Sequence, residues 1–241
     1  MPRKNKFLFL LVIVILFVAV LIGKEYFVES RVLAESEEGD MIRIHPGENL
    51  QEKMDAAKDG GMIVISSGKY IIDKPLVIEG RKDITIVSDK DVWILGSRVD
   101  FQIFKLINSD NITLKNIRAC HRIDPETGNT MIENKREGSV IDIENCNQVT
   151  LENCELEGCG VYGVYAVNTD KLHILGCYIH HNSWSALGLY NKRDVSNVII
   201  KGCTIINNAD FMEKEGLIHI QFEGDNVIQD NSYENYKKAL R

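Results

Sequence analysis

VTLENCELE occupies residues 149–157, and its apolar side chains do not keep one rhythm. Val149 and Leu151 alternate before Asn153, and Cys154 and Leu156 alternate after it. Leu151 and Cys154 are three residues apart, so the period of two that marks a half-buried strand slips by one at the asparagine. A strand that slips in this way bends, and one residue of the bend takes a left-handed conformation. Glycine enters that region freely, and asparagine is the next cheapest. The same pattern recurs in ITLKNIRA (112–119), LHILGCYIH (172–180) and VIIKGCTII (198–206), with a weaker copy in VIQDNSYEN (227–235). The marks Asn116, Asn153, Gly176, Gly202 and Asn231 are 37, 23, 26 and 29 residues apart. A repeat of this length predicts a stacked, quasi-one-dimensional fold in which each unit buries its apolar face against the next.

A second family of strands lies between the copies: VIDIEN (140–145), GVYAVN (163–168), ALGLYN (186–191) and LIHIQF (217–222). Each coil is therefore expected to run strand, turn, strand, tight bend, third strand. All coils advance the same way, so the sheets should be parallel.

This arrangement resembles the right-handed parallel β-helix of the pectin-lyase-like superfamily. Residues 48–70, ENLQEKMDAAKDGGMIVISSGKY, are similar to that family's opening, a short capping helix followed by entry into the first coil. LVIEG, ITIVS and VWILG continue the coils. The resemblance covers about residues 43–235. It implies an all-β fold, a single-stranded right-handed parallel β-helix (a solenoid) with a short N-terminal capping helix. It does not by itself imply an activity, because function lies in sites placed on such a fold.

The register decides how LHILGCYIHHN (172–182) is read. Its cysteine and three histidines are residue types that bind metals. Ile174, Cys177 and Ile179 should point inward, with Cys177 stacked between Cys154 and Cys203 at about 4.8 Å. His173 and Tyr178 should point outward, and His180 and His181 should lie at the next turn. A metal site shared by Cys177 and the histidine pair is thereby argued against. The spacing of the cysteines implies neither a disulfide framework nor a zinc site. The sequence thus assigns no metal ligands and no cofactor.

The N-terminus differs from the rest. Arg3, Lys4 and Lys6 precede an uncharged apolar run, FLFLLVIVILFVAVLIG (7–23), of 17 residues. That length is at the lower end for a membrane-spanning helix. With basic residues only before it, the run predicts an uncleaved signal anchor, one transmembrane helix that leaves the N-terminus cytoplasmic and the remainder outside. The competing reading is a secretory signal peptide, with VLA at 32–34 as a cleavage site remote from the run. The expected organisation is an anchor over 1–23, a linker over 24–41 containing the acidic ESEEGD, and the β-helix over 42–241. The expected location is the cell membrane, single-pass, with the β-helix extracytoplasmic. The chain carries 28 Lys+Arg against 35 Asp+Glu, a net −7. Three of the basic residues precede the apolar run, so the remainder is more acidic still. Such a balance argues against a nucleic-acid partner, which requires a basic face.

NTD at 168–170 resembles the first motif of the polygalacturonase branch of the superfamily. The other motifs of that branch, a paired Asp-Asp, a Gly-His-Gly and an Arg-x-Lys, do not occur in the matching coils. The comparable turns NSDN (108–111), NCNQ (145–148) and EGDN (223–226) mark NTD as turn chemistry. The calcium-dependent lyase branch requires clustered aspartates and an arginine base, and no such cluster is evident.

By resemblance, clefts in this superfamily lie on the outer face of the strand after the loose turn. That face carries Asp142, Glu144, Tyr165, Tyr190 and His219, bordered by His121, Arg122, His180, His181 and Trp184. The aromatic residues offer flat apolar area for a sugar, and the carboxylate and imidazoles offer placed polar groups. If catalysis occurs there, Asp142 is the acid or base, His181 its partner, and Arg122 neutralises a substrate carboxylate. Two ligand-directed functions stay open, beside a purely structural or assembly role. One is a membrane-anchored protein that binds or organises cell-envelope or extracellular polysaccharide. The other is a divergent polysaccharide lyase, glycoside hydrolase or epimerase.

Overall fold

Twenty-one strands and one short helix make up the described part of the chain, in a computed structural model that describes residues 41–121, 138–158, 161–190, 197–206, 208, 218–221 and 225–234. The apolar run at 7–23, the linker over 24–40, Arg122, Asp124 and Cys159 lie outside the described residues. Among the described residues no helix is long and apolar enough to cross a membrane.

The strands fall into three parallel sheets of eight, six and seven strands, which the chain visits in rotation. One coil shows the plan. Strand β10 (Ile141–Glu144) belongs to the six-stranded sheet, β11 (Asn147–Glu152) to the eight-stranded sheet and β12 (Glu155–Glu157) to the seven-stranded sheet. The next coil repeats it with β13 (Tyr162–Val167), β14 (Asp170–Leu175) and β15 (Tyr178–His180). A further coil begins with β16 (Ser185–Tyr190), β17 (Ile199–Lys201) and β18 (Thr204–Ile206). Neighbouring coils pair in register, Val149 with Leu172 and Leu156 with Ile179, so like residues stack on like. The result is an all-β parallel solenoid.

The bends follow the expected chemistry. Asn116, Asn153, Gly176 and Gly202 have φ of 58°, 52°, 60° and 65°. The following residues, Ile117, Cys154, Cys177 and Cys203, are at most 1 % exposed. At Gly176 an added Cβ would also lie 2.6 Å from Asn153 Oδ1, so that side chain would have to shift. The last copy differs from the sequence alignment by one residue. Gln229 pairs with Lys201 and Ser232 with Thr204, so Asp230 (φ 57°) is the bend residue and Asn231 takes the cysteine's place. The Asn231 side chain accepts from the Cys203 amide (2.8 Å) and donates to the Ile200 carbonyl (3.0 Å). Asp and Asn both tolerate the left-handed region, so DN could be read in either register.

The turns between the six- and eight-stranded sheets are equally regular. Asn108, Asn145 and Asn168 have φ near 50°, at 50°, 53° and 51°. Ser109, Cys146 and Thr169 follow them, and each donates its side chain to the carbonyl two residues back (2.8, 3.4 and 3.2 Å). Asn168 donates to Asn145 Oδ1 at 3.2 Å. NTD occupies this turn as its counterparts do.

Isoleucine, leucine and valine fill the interior, with Ile174 and Ile179 fully buried beside Cys177. The Cys154, Cys177 and Cys203 thiols form a ladder, and each contacts the carbonyl of a residue in the preceding coil at 3.4 Å. Its hydrogen bond with Cys154, together with burial, holds the Cys177 thiol well above the usual cysteine range. Cys120, Cys146, Cys154, Cys177 and Cys203 are all free and buried.

Helix α1 (Leu50–Ala56) lies at the N-terminal end, between β1 (Met41–Ile44) and β2 (Met62–Ile65). Asn49 caps it by accepting from the Glu52 amide, and Leu50 and Met54 face the core. Strand β4 (Leu76–Glu79) is the N-terminal edge of the six-stranded sheet. Gln51 pairs with that edge as a neighbouring strand would, accepting from the Val77 amide (2.7 Å) and donating to the Val77 carbonyl (3.0 Å).

The ladder generates a stability prediction. Cys177→Ser replaces a close-packed sulfur with a smaller hydroxyl beside carbonyls that already serve the sheets. It should lower the unfolding free energy by about 1–3 kcal/mol. Urea melts should show a lower midpoint with an unchanged slope. An unchanged midpoint would contradict a close-packed ladder.

Candidate functional site

The outer face of the six-stranded sheet is built from two rows of stacked residues. One runs Lys105, Asp142, Tyr165, Gly188, His219. The other runs Ile107, Glu144, Val167, Tyr190, Gln221. The expected face is therefore assembled, but Tyr165 and Tyr190 belong to different rows and different coils. His219 reaches the predicted row through the backbone register, and its side chain lies outside the described residues.

Tyr162, which the sequence reading left out, completes an aromatic cluster. Its ring stacks on Tyr165 with centroids 5.5 Å apart and planes at 25°. Tyr165 and Tyr190 are also 5.5 Å apart, tilted at 46°. The Tyr162 and Tyr190 hydroxyls lie 3.0 Å apart and share a hydrogen bond. Gly188 makes room for this arrangement, since a Cβ there would meet the Tyr162 ring at 2.7 Å. Val161, Tyr162, Tyr165, Trp184 and Tyr190 line an open depression of about 330 Å³. The signal for Tyr162 was present in its place at the start of GVYAVN's strand, but an inward–outward alternation cannot show a ring crossing over a neighbouring glycine.

Asp142 corrects the sequence expectation of a surface carboxylate. It is only 6 % exposed. Its strand position does point outward, but Ser139 and Gln102 approach closely enough to offer it hydrogen bonds. Burial pushes its carboxyl up to about 6, against the opposing pull of those two hydrogen bonds. Among the described residues its Oδ1 has no hydrogen-bond partner. Glu144 is paired with Lys105 at 3.6 Å. Burial, then the neighbouring Tyr190 hydroxyl and the Asp142 carboxylate, raise the Tyr165 phenol.

His121 is a second correction. It is fully buried rather than bordering the face, with Nε2 2.7 Å from the Phe101 carbonyl and its ring edge-on to Phe101. It ends strand β9 (Arg118–His121) and fills the space above Gly96, which an added Cβ would reduce to 3.2 Å. Burial lowers its pKa.

His180 is also buried, at 5 %, whereas the His181 side chain is 43 % exposed. Their Nδ1 atoms are 2.7 Å apart. His181 has a φ of 55°, a left-handed turn conformation, and burial followed by its neighbour His180 lowers its pKa. Glu157 pairs with His180 in the register of β12 and β15 and lies beside both rings. Of the proposed catalytic group, Asp142 sits on the six-stranded sheet and His181 in the turn after the seven-stranded sheet. No direct hydrogen bond between them is found among the described residues.

Comparison with known proteins agrees with this architecture. A family model described as "Right handed beta helix region" matches residues 139–240. The fold is similar to a pectate lyase, Pel9A, with a TM-score of 0.50 and 14 % identity over 79 % of this chain. The match spans 62 % of that pectate lyase. A pectin methylesterase from Aspergillus niger aligns at a TM-score of 0.43 and 12 % identity, over 84 % of this chain and 86 % of that one. No curated relative matches the chain. The chain thus has a parallel β-helix fold, matched as right-handed over residues 139–240 and similar in fold to that pectate lyase.

The buried carboxyl gives a pH prediction. With a native pKa of about 6 for Asp142 and an unfolded value of about 3.9, the folded state holds the extra proton between those limits. The Asp142 contribution therefore falls as pH rises through that window, by at most about 3 kcal/mol, and is level above it. Asp142→Asn should gain stability relative to the parent as pH rises from about 4 to 6. Paired thermal melts across this range check it, and a constant difference would contradict the buried, raised carboxyl.

Proposed function

We propose that the protein binds cell-envelope or extracellular polysaccharide through the aromatic depression of the six-stranded sheet, and that the apolar run at 7–23 anchors it in the membrane with the β-helix outside. The observation that carries the reading is the open tyrosine cluster. Tyr165 and Tyr190 present their rings and hydroxyls together over the buried Tyr162, with Trp184 at the rim. Such surfaces suit sugars, whose C–H faces stack on rings while their hydroxyls take hydrogen bonds. The rings are held by one another and by the close approach to Gly188, so little order would be lost on binding.

A second reading is supported by Asp142. A carboxyl raised to about 6 beside Tyr165 is matched to proton transfer near neutral pH. In a divergent lyase, hydrolase or epimerase, Asp142 would be the acid or base on a sugar held by the tyrosines. Arg122 would then neutralise a substrate carboxylate.

The full chain in detergent, applied to a glycan array, tests the binding reading. Tyr165→Ala and Tyr190→Ala should each weaken binding to any glycan retained by the parent by roughly fivefold or more, because an aromatic contact contributes about 1–3 kcal/mol. Unchanged binding would place the site elsewhere. Incubation of the same glycan with the parent and with Asp142→Asn separates the readings. New reducing ends or unsaturated products that require Asp142 would replace the binding reading with the catalytic one.

The anchor has its own test. Protease added to intact cells or spheroplasts should remove the β-helix and leave a membrane-bound N-terminal fragment. Full protection of the β-helix would overturn the proposed orientation.

A further inference from the structure

Three metal-binding side chains converge outside the aromatic depression. Glu157 ends β12, His180 ends β15 on the neighbouring coil, and His181 begins the turn that leads to Trp184. One donor atom from each lies within 4.8 Å of the other two. We propose that Glu157, His180 and His181 form a binding site for a divalent transition-metal ion of the zinc class.

The donor set fits that chemistry. Two imidazoles and one carboxylate suit a borderline ion, and three protein ligands with a remaining position for solvent are the pattern of an open site. The Nδ1 atoms of His180 and His181 are 2.7 Å apart, and each lies 3.9 or 4.0 Å from Glu157 Oε1. An ion bound at about 2.0–2.2 Å sets tetrahedral donors roughly 3.3–3.5 Å apart. The observed separations lie on both sides of that value, so adjustments below 1 Å would bring all three into place. His181 is the exposed member, which opens the site to solvent on its side.

The surroundings also hold His180 as a ligand should be held. Tyr178 stacks on its ring, with centroids 3.9 Å apart and planes at 24°. Its Nε2 is buried, makes no well-formed hydrogen bond, and faces Glu155 Oε1 at 3.4 Å. A proton on Nε2, directed at that carboxylate, leaves the Nδ1 lone pair for the ion, the second-layer arrangement common to metal-bound histidines. Glu155 is fixed in turn by Arg118 at 2.8 Å, and the Arg118 guanidinium lies 3.5 Å over the Trp93 ring. Without an ion, His181 donates its Nδ1 proton to His180. With one, the His181 proton moves to Nε2, and both Nδ1 lone pairs face the metal. Cys120 stands on the other side of Glu157 in the same row, but it is not among the donors that converge within 4.8 Å of one another.

Untagged full chain, stripped with a chelator, is titrated calorimetrically with Zn²⁺, and Co²⁺ is added in parallel for its visible ligand-field bands. The expected result is one saturable equivalent of Zn²⁺ and intense Co²⁺ bands of low coordination number. His181→Ala, which removes an exposed side chain, should abolish both signals. Glu157→Gln should weaken binding at least tenfold, and Glu155→Gln by about 10–100-fold through loss of positioning. Circular dichroism confirms that each variant retains its sheets. The absence of a saturable equivalent in the parent overturns the proposal, and so does parent-like affinity in folded His181→Ala or Glu157→Gln. Parent-like affinity in Glu155→Gln overturns the positioning role assigned to Glu155.

Discussion

Each coil must turn a strand through a corner without losing the hydrogen bonds that join it to the coils on either side. The left-handed residue at Asn116, Asn153, Gly176 and Gly202 meets that requirement. It turns the chain within one residue and leaves the flanking strands in register. Everything else rests on that corner. It brings the following residue, Ile117 or a cysteine, inward, it sets Leu156 over Ile179, and it fixes which residues of the third strand face solvent.

The corner was legible because it combines two independent signals in the sequence: a slip in apolar alternation and a residue type that tolerates positive φ. Where one signal was ambiguous, the reading moved. DN at 230–231 offers two tolerant residues, and the strand after it, SYE, is too short to choose between them. The third-strand partners were legible in principle. Aligning VTLENCELE with LHILGCYIH places Glu157 opposite His180, as the structure does. The histidines are adjacent along the chain, whereas their carboxylate neighbour lies one coil away.

The candidate site was legible only as a face. Alternation correctly put Asp142 and Tyr165 in one outward row. It could not show that the carboxylate is buried with Ser139 and Gln102 beside it, because those residues come from separate turns and their approach has no periodicity. Nor could it show that Tyr162 lies across Gly188. Outward in a solenoid is a direction and not an exposure. The difference matters for chemistry, because a covered carboxylate near neutral pKa and an exposed one have different uses. Arg122 and the remainder of its turn (122–137) belong to the same face by sequence and lie outside the described residues.

The Gln51 amide, bonded twice to Val77, has a consequence for assembly. A parallel β-helix ends in bare strand edges, and each edge is a template on which another chain can add in the same register. At β4 the template is already occupied, by a side chain that imitates one residue of a missing coil. An incoming strand would have to displace that amide and the helix that carries it. End-to-end growth into a fibre is therefore obstructed at this edge by a single glutamine, independently of how many coils follow it.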